Sequence, residues 1–323
     1  MTAPVHDAVA RGRYALLLPG AGSQLPRMAE RLCAAFPCAV DVLERAARAT
    51  GLDLVQLCRA GTPAELGTAE VSHPAIVATG LAAATALRRH LGGRWAPPAV
   101  VAGHSLGHFA ALVEAGCLDF DDALRLVARR ARLMSARTRQ RPALMVALGG
   151  IPPGRVAEWC ADCPAEHGTV VPACFNGPLQ TVISGDAAAV RAVARRALAA
   201  GDVRVRELPA GVASHSPLME PVRQALRPAL TAVRLSPPAV PLLLNTTGRT
   251  TLDAGEVRAD LLGQLCAPVR WNDGMRVLAA AGVGTVLDAG PGQVLARYAA
   301  LHAELRPVAL NFMEPLHRAV PLP

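Results

Sequence analysis

Pro98-Ala-Val-Val-Ala-Gly-His-Ser-Leu-Gly-His-Phe-Ala-Ala-Leu112 is the stretch that decides the fold. A short apolar run that ends at Gly103 predicts a buried strand, and apolar residues recur at helical spacing from Leu106 onward. Ser105 lies at the turn between them, flanked by Gly103 and Gly107. This spacing permits a sharp corner that exposes the serine hydroxyl, so it predicts a nucleophile elbow with a catalytic serine. An ordinary turn serine is the alternative, which the strand before and the helix after make less favourable.

Length and composition narrow the possible functions. A chain of 323 residues is long enough for about two domains. It is 52% hydrophobic but only 3% aromatic, which suits helices packed on a parallel sheet and leaves little for base stacking, so nucleic acid is disfavoured. All 33 basic residues are arginine, and the net charge is +8. This charge would attract an acidic partner, although a scattered solvated surface explains it as well.

Neither membrane insertion nor a disulfide framework is predicted. Residues 1–13 lack the apolar core of a signal peptide, and no later run is long enough to cross a bilayer. We therefore expect a soluble, cytoplasmic protein. The eight cysteines show no disulfide pattern, as in reduced intracellular chains. Cys160 and Cys163 have the spacing of a redox or zinc pair, but no second pair follows, so we expect no metal site.

A glycine loop follows the first predicted strand, Tyr14–Leu18. The loop Pro19-Gly-Ala-Gly-Ser-Gln24 resembles a phosphate cradle, but the third glycine of the dinucleotide pattern would fall at Leu25 and there is no lysine for a P-loop. Its amides could instead bind an oxyanion that develops on a carbonyl attacked by the elbow serine. The amides of Ala21 and Leu106 are the predicted donors.

The order of elements predicts two sheets. Residues 141–208 show strand, helix, strand, strand, helix, strand, the order of a small ferredoxin-like subdomain inserted between residues 1–140 and 209–323 of a larger α/β domain. The predicted strands in this subdomain are Leu144–Leu148, Thr169–Ala173, Gln180–Ser184 and Val203–Leu208, and its helices are Arg155–Cys163 and Ala187–Ala200. In the larger domain we predict strands at Val240–Leu244 and Thr285–Ala289, and helices from about Pro26, at Ala39–Ala49, Leu52–Cys58, Pro74–Arg89 and Ala123–Arg137.

Of the nine histidines, His215 is the best candidate for a general base. It lies in a polar turn where the chain re-enters the larger domain, and a base late in the chain after a serine elbow follows the hydrolase order. His104 and His108 stand four residues apart, a spacing that could hold a metal on a regular helix. Because no third ligand is near, packing or substrate contact is the favoured explanation. His73 opens a predicted helix.

Several ordered motifs together resemble one enzyme family. They are Pro19-Gly-x-Gly-Ser-Gln24, Gly103-His-Ser-Leu-Gly107, Arg130-x-x-Leu-Met134, Asn176 with Val182-Ile-Ser-Gly185, Ser214-His-Ser216, Gln264-x-x-x-Pro-Val-x-Trp271 and Gly290-Pro-Gly292. The chain is similar over nearly its whole length to the malonyl-CoA:acyl-carrier-protein transacylases, and equally to the acyltransferase domains of polyketide synthases. The resemblance implies an α/β-hydrolase-like domain with a ferredoxin-like subdomain.

The resemblance also implies roles for individual residues. Ser105 matches the family nucleophile and His215 the base, whose imidazole is oriented by a backbone carbonyl near Ala267. Arg130 matches the arginine that binds the malonyl carboxylate, a task for which its planar fork is suited. By composition alone, Arg130 would be one of many arginines on a solvated helix face. Ser214 would border the pocket for the α-substituent, where it leaves room for a methyl group.

Asn176 and His108 are the remaining residues that the resemblance places in the substrate-binding region. The chain departs from the family pattern at several positions. It has Ala21 and His73 where glutamine is usual, His108 where glutamate is usual, and Ala131 where glycine is usual. These departures leave the identity of the acyl group open.

The sequence therefore predicts an acyltransferase of fatty acid or polyketide synthesis. A malonyl-type group would pass from CoA to Ser105 and then to the phosphopantetheine thiol of an acidic acyl carrier protein, with acyl-CoA as substrate and no further cofactor. One alternative is an acyl shuttle or editing hydrolase that acts on a non-malonyl chain. Another is a catalytically silent docking protein for a carrier domain, if His108 disables the site.

Overall fold

The computed structural model describes residues 3–208 and 212–310 of the chain. Its strands are Tyr14–Leu18 (β1), Val100–Gly103 (β2), Ala143–Gly149 (β3), Val170–Gly177 (β4), Gln180–Asp186 (β5), Arg204–Glu207 (β6), Leu242–Leu243 (β7), Thr250–Thr251 (β8), Thr285–Asp288 (β9) and Arg306–Ala309 (β10). Its α-helices are Ala3–Ala10 (α1), Glu30–Ala35 (α2), Pro37–Thr50 (α3), Leu54–Ala60 (α4), Ala69–Leu91 (α5), His108–Glu114 (α6), Phe120–Gln140 (α7), Pro153–Ala161 (α8), Ala187–Ala199 (α9), Glu220–Ala232 (α10), Ala254–Gly263 (α11), Trp271–Ala280 (α12) and Val294–Ala299 (α13).

The larger sheet has the order β10-β9-β1-β2-β7-β8, and every neighbouring pair is parallel except β7 with β8. Strand β1 lies inside the sheet and is buried along its whole length, as a continuous apolar run requires. In the β1–β2 register Leu18 pairs with Gly103, so both strands end at the same level. The glycine loop after β1 and the elbow after β2 are therefore neighbours at the carboxyl edge of the sheet, where ligands bind in open α/β folds.

The smaller sheet has the order β4-β5-β3-β6 and is antiparallel throughout. Helices α8 and α9 pack on it around a core of their own, which includes Val146, Val156, Trp159, Ile183 and Val193. A parallel sheet with a second, antiparallel sheet confirms the predicted α/β fold class. The predicted boundary at 140/141 lies close to the start of β3, whereas the boundary at 208/209 falls next to residues outside the described ranges. The division into domains stays a prediction.

Helix α5 differs from its predicted start at Pro74. The helix begins at Ala69, so Pro74 lies inside it, where it cannot donate a backbone hydrogen bond. Nearly every side chain from Ser72 to Leu87 is buried. The free energy gained by burying these side chains exceeds the cost of placing Pro74 inside the helix. Tertiary packing therefore overrides the sequence signal for a helix start at Pro74.

Other element boundaries also differ from the prediction. Strand β7 is shorter than predicted, and the helix expected from about Pro26 begins at Glu30 after a turn. Strands β8 and β10 and helices α1, α10, α11 and α12 were not predicted. Among residues 3–208 and 212–310, no helix has both the length and the apolar character needed to span a bilayer.

Candidate active site

Ser105 lies in a tight corner between β2 and α6, in a single turn of 3₁₀ helix. Its φ of 51° is in the left-handed region, which a non-glycine residue adopts at a cost of about 1–3 kcal/mol. The two flanking glycines are required by close backbone contacts. A Cβ on Gly103 would clash with the backbone of Gly107, and a Cβ on Gly107 would clash with the carbonyl of Leu18. The local sequence therefore builds the strained elbow that its glycine spacing predicts.

His215 lies beside the elbow serine, as the sequence analysis expects. Its Nε2 is 2.7 Å from Ser105 Oγ. Its Nδ1–H can donate to the carbonyl of Gln264 at 2.8 Å and to that of Ala267 at 3.2 Å. The acceptor was expected near Ala267, and the structure adds the closer carbonyl of Gln264. With the Nδ1 proton so occupied, Nε2 presents its lone pair to the serine hydroxyl.

The environment of His215 keeps the imidazole neutral. Burial, followed by the positive charge of Arg130, lowers the pKa of His215 to about 3. A neutral imidazole is the form that can accept a proton from Ser105. His215 also has a φ of 62°, so Ser105 and His215 are both held in strained backbone conformations.

Gln264 connects the two strained residues. Its backbone carbonyl accepts from His215 Nδ1–H, and its side-chain Nε2–H donates to the carbonyl of Ser105 at 3.2 Å. Gln264 is itself buried. In the sequence this glutamine is only one member of a motif, whereas in the structure it makes two contacts that hold Ser105 and His215.

Arg130 is a buried cation in the same site. It lies on α7, whose start is capped by Asp119 through bonds from the backbone N–H groups of Asp121 and Asp122. The Arg130 side chain is only 2% exposed, so the solvated helix face that composition would favour is not what the structure shows. Burial lowers the pKa of Arg130 to about 10, which leaves it charged at neutral pH.

Arg130 has little to balance its charge. Its Nη1–H donates to Nδ1 of His73 at 3.4 Å, and its Nε has no hydrogen-bond partner. No ion pair within residues 3–208 and 212–310 includes Arg130. A buried cation is ordinarily paired, so this guanidinium is suited to an anionic group that enters from outside the protein.

These groups face one cavity of about 230 Å³ between the two sheets. Ser105, His215 and Arg130 all line it, together with Ala21 and Ser214, which were predicted at the site. Residues of the smaller sheet close the other side, among them Met145, Cys174 and Arg206. The arrangement brings a serine hydroxyl, a neutral imidazole and a cation together in one partly open cavity.

The glycine loop approaches the elbow closely. A Cβ on Gly20 would clash with the carbonyl of His104 and would lie 3.5 Å from the amide nitrogen of Leu106. Ala21 follows Gly20 and lines the cavity. This proximity supports the proposed pair of donors, the amides of Ala21 and Leu106.

Asn176 lines the cavity from the smaller sheet but uses its side chain to bind neighbours. Its Oδ1 accepts from His104 Nε2 at 2.8 Å, and its Nδ2–H donates to the hydroxyl of Tyr298 at 3.1 Å. His104 belongs to the elbow and Tyr298 to α13. The chain of contacts ties the smaller sheet to two elements of the larger one.

His108 is placed differently from the prediction. It was expected in the substrate-binding region, but it is fully buried and does not line the cavity. Its Nδ1 accepts from Asn245 Nδ2 at 3.1 Å, and its Nε2 lies 3.4 Å from the carboxylate of Asp260. Burial lowers the pKa of His108, while Asp260 opposes that shift. His108 therefore supports the elbow from behind and cannot contact substrate in the cavity.

Asn245 and Asp260 also support the elbow and were not predicted from the sequence. Asn245 Oδ1 accepts from the backbone N–H of Ser105 at 2.7 Å, and its Nδ2–H donates to the carbonyl of Gly103 at 2.8 Å. Asp260 accepts from the backbone N–H groups of Asn245 and Thr246 at 3.2 and 2.7 Å. The polar residues directly after β7, at the carboxyl edge of a parallel strand, were the signal that could have identified Asn245.

The cysteines add no second site. All eight are free thiols, and burial raises the pKa of Cys160 to about 12 and also raises that of Cys163. Within the described ranges, no three histidine, cysteine, aspartate or glutamate side chains converge to hold a metal ion.

Comparison with known proteins identifies the relatives of this chain. Residues 16–306 match the family model described as the acyl transferase domain. The malonyl CoA-acyl carrier protein transacylase of Escherichia coli K12 is 35% identical over 286 residues, which cover 88% of this chain and 90% of that protein.

Two solved structures of transacylases are similar to this chain in both fold and sequence. The crystal structure of a malonyl-CoA:acyl carrier protein transacylase from Xanthomonas oryzae has a TM-score of 0.87 and 32% identity, and covers 93% of this chain and 95% of that one. A malonyl-transacylase in complex with its type II PKS acyl-carrier protein has a TM-score of 0.87 and 33% identity, and covers 92% and 96% of the two chains.

Proposed function

Because the chain belongs to the acyl transferase domain family, we propose that it transfers a malonyl-type acyl group from CoA to the thiol of an acyl carrier protein through an acyl-serine intermediate. It is an acyltransferase, and malonyl transfer to a carrier protein is the activity its relatives are named for. The observation that carries the choice of acyl group is the buried Arg130 guanidinium beside the Ser105–His215 dyad.

The first half-reaction loads the serine. His215 Nε2 takes the proton from Ser105 Oγ while the oxygen attacks the thioester carbonyl, and the amides of Ala21 and Leu106 stabilise the oxyanion. When the tetrahedral intermediate collapses, the C–S bond breaks and the CoA sulfur leaves with the proton from His215. The result is an ester on Ser105 and free CoA.

The second half-reaction transfers the acyl group to the carrier. The phosphopantetheine thiol gives its proton to His215 Nε2 and attacks the ester carbonyl at the same oxyanion site. Collapse breaks the bond to Ser105 Oγ, which recovers its proton from His215. Both half-reactions balance with only the groups of this protein, CoA and the phosphopantetheine thiol. The proposed reaction therefore requires no further cofactor.

Arg130 selects acyl groups that carry a free carboxylate. Its charge is already desolvated in the folded protein, so a malonyl carboxylate meets a cation that has lost its water before the substrate binds. An acetyl group has no charge to offer and gains nothing from this cation. Ser214 at the cavity wall leaves space beside the α-carbon, so a methylmalonyl group fits the proposal as well as malonyl.

We propose an acidic carrier protein as the partner and a cytoplasmic location for the reaction. The net charge of +8 supports an acidic partner, because opposite charges accelerate encounter at low ionic strength. Transfer to the carrier should then slow as salt shortens the Debye length, which is about 8 Å at physiological ionic strength. A salt-independent rate would make the positive charge incidental.

The decisive experiment is intact-protein mass spectrometry after incubation with malonyl-CoA. Wild type should gain one malonyl group, Ser105→Ala none, and His215→Ala only slowly, because the base that takes the hydroxyl proton is missing. Undiminished loading of either variant would refute the assignment of that residue. Addition of a holo carrier protein should remove the group as an acyl-carrier thioester, whereas release as free acid would indicate a hydrolase.

A further inference from the structure

The partner of the Arg130 guanidinium is neutral rather than acidic. Arg130 Nη1–H donates to Nδ1 of His73 at 3.4 Å, between helices α7 and α5. His73 is 5% exposed and lines the same cavity as the Ser105–His215 dyad. This is the only hydrogen bond to the Arg130 side chain formed within the described part of the chain.

This contact fixes the tautomer of His73. A guanidinium has only donors, so Nδ1 must present its lone pair and the ring proton must lie on Nε2. Burial, followed by the charge of Arg130, lowers the pKa of His73 to about 3. The ring is therefore neutral at physiological pH, and its lone pair is available to Arg130 throughout that range.

We propose that His73 is a positioning residue that orients Arg130 for a substrate carboxylate without neutralising it, and thereby sets the preference for carboxylated acyl groups. The inference rests on the proposed acyltransferase function. A neutral acceptor holds one guanidinium nitrogen in place and leaves the full positive charge for the substrate. An acidic side chain would hold the guanidinium more firmly, but it would compete with the substrate carboxylate for the same donors.

Three substitutions of His73 separate orientation from charge. His73→Gln keeps a neutral acceptor and should retain malonyl loading. His73→Leu keeps apolar bulk but has no acceptor, and malonyl loading should fall about 10- to 100-fold, the range for a lost hydrogen bond to a charged group. His73→Glu differs from His73→Gln only in its ionisable oxygen and should lower malonyl loading further, because it binds Arg130 itself.

The measurement is the rate of acyl-serine formation with malonyl-CoA and with acetyl-CoA, each at subsaturating concentration. Acetyl loading uses the same nucleophile and base but no carboxylate, so it should stay within a few-fold of wild type in all three variants that fold. The malonyl-to-acetyl ratio is the readout, because a merely structural role of His73 would lower both rates together.

The outcomes distinguish this inference from the function on which it rests. Absence of acyl-serine in wild type with either substrate would overturn the acyltransferase function. Normal malonyl loading by wild type with an unchanged ratio in His73→Leu would overturn only the role of His73. If His73→Leu does not fold, the matched pair His73→Glu and His73→Gln decides, and equal ratios in these two variants would overturn the proposal.

Discussion

Replacing Arg130 with methionine should abolish the preference for malonyl over acetyl groups. Methionine keeps most of the side-chain volume in the buried site and removes the charge. Two unit charges 4 Å apart attract by about 4 kcal/mol at the effective dielectric constant of about 20 that suits protein sites. Because Arg130 is already desolvated by burial, only the malonyl carboxylate loses water on binding. The Arg130→Met substitution should therefore remove about 3 kcal/mol of transition-state stabilisation for malonyl loading. That corresponds to roughly a 100-fold slower malonyl loading.

Acetyl loading should not fall in Arg130→Met. The charge of Arg130 is the second cause of the lowered pKa of His215, after burial. Without that charge the pKa of His215 rises, His215 becomes a stronger base, and acetyl loading should be unchanged or faster.

The assay compares kcat/KM for malonyl-CoA and acetyl-CoA in the acylation half-reaction. Arg129→Met is the matched control, because Arg129 lies on the same helix with an exposed side chain. Its ratio of the two constants should equal that of wild type. An equal loss for both substrates in Arg130→Met would refute the carboxylate-binding role and make Arg130 a structural residue.

Three further predictions concern the pocket, the buried support and pH. Ser214→Phe should shift loading from methylmalonyl-CoA toward malonyl-CoA by about 1–3 kcal/mol, the usual value of one methyl group in a pocket, and an unchanged ratio would show that Ser214 does not border it. Asp260→Ala should lower the Tm and slow malonyl and acetyl loading alike, because it leaves the buried N–H of Asn245 without an acceptor, at a cost of about 1–3 kcal/mol, and the half-buried N–H of Thr246 as well. An unaltered Tm would contradict this. The pKa values of His73 and His215 are both lowered to about 3 from 6.5. The unfolded chain therefore binds protons that the folded chain does not, and stability present above pH 6.5 should be lost toward pH 3 by roughly 1.4 kcal/mol per pH unit for each histidine. Urea unfolding at pH 7.0 and 5.5 tests the sign, and His73→Gln should reduce the slope.

The elbow could be predicted from sequence because its causes are local. Gly103 is needed for a backbone contact with Gly107, only two residues beyond Ser105, and the neighbouring apolar runs show which elements flank the turn. The contact that requires Gly107 is with Leu18, at the end of β1, and only the Gly-x-Ser-x-Gly spacing indicates it in the sequence. His215 follows from chain order once the serine is assigned. Arg130 is different, because nothing local separates it from 32 other arginines in a chain with 33 basic residues and no lysine. Only the resemblance to a family identified it.

The support behind the elbow could not be predicted, because its members are brought together only by folding. Asn245 and Asp260 are more than a hundred residues from Ser105 in the sequence. Their contacts depend on the pairing of β7 with β2 and on the hydrogen bond from Asn245, just after β7, to Asp260 on α11. The same reason explains the error for His108. The resemblance places it in the substrate-binding region, but His108 is the first residue of α6, and its buried side chain contacts Asn245 instead. Proximity in sequence to a catalytic residue does not determine which side of the helix a residue occupies.

The strain in the site explains why Gln264 has two contacts rather than one. Ser105 and His215 have φ values of 51° and 62°. Each of these conformations costs about 1–3 kcal/mol, so it persists only if contacts with the surrounding structure hold it. The two residues lie on loops far apart in the sequence, so relaxation of either loop would separate Oγ from Nε2. Gln264 accepts from the base with its backbone carbonyl and donates to the carbonyl of Ser105 with its side chain, so one buried residue holds both loops at the reacting distance. Gln264 therefore helps to keep both residues in their strained conformations. The 2.7 Å contact between Ser105 Oγ and His215 Nε2 is formed before any substrate binds.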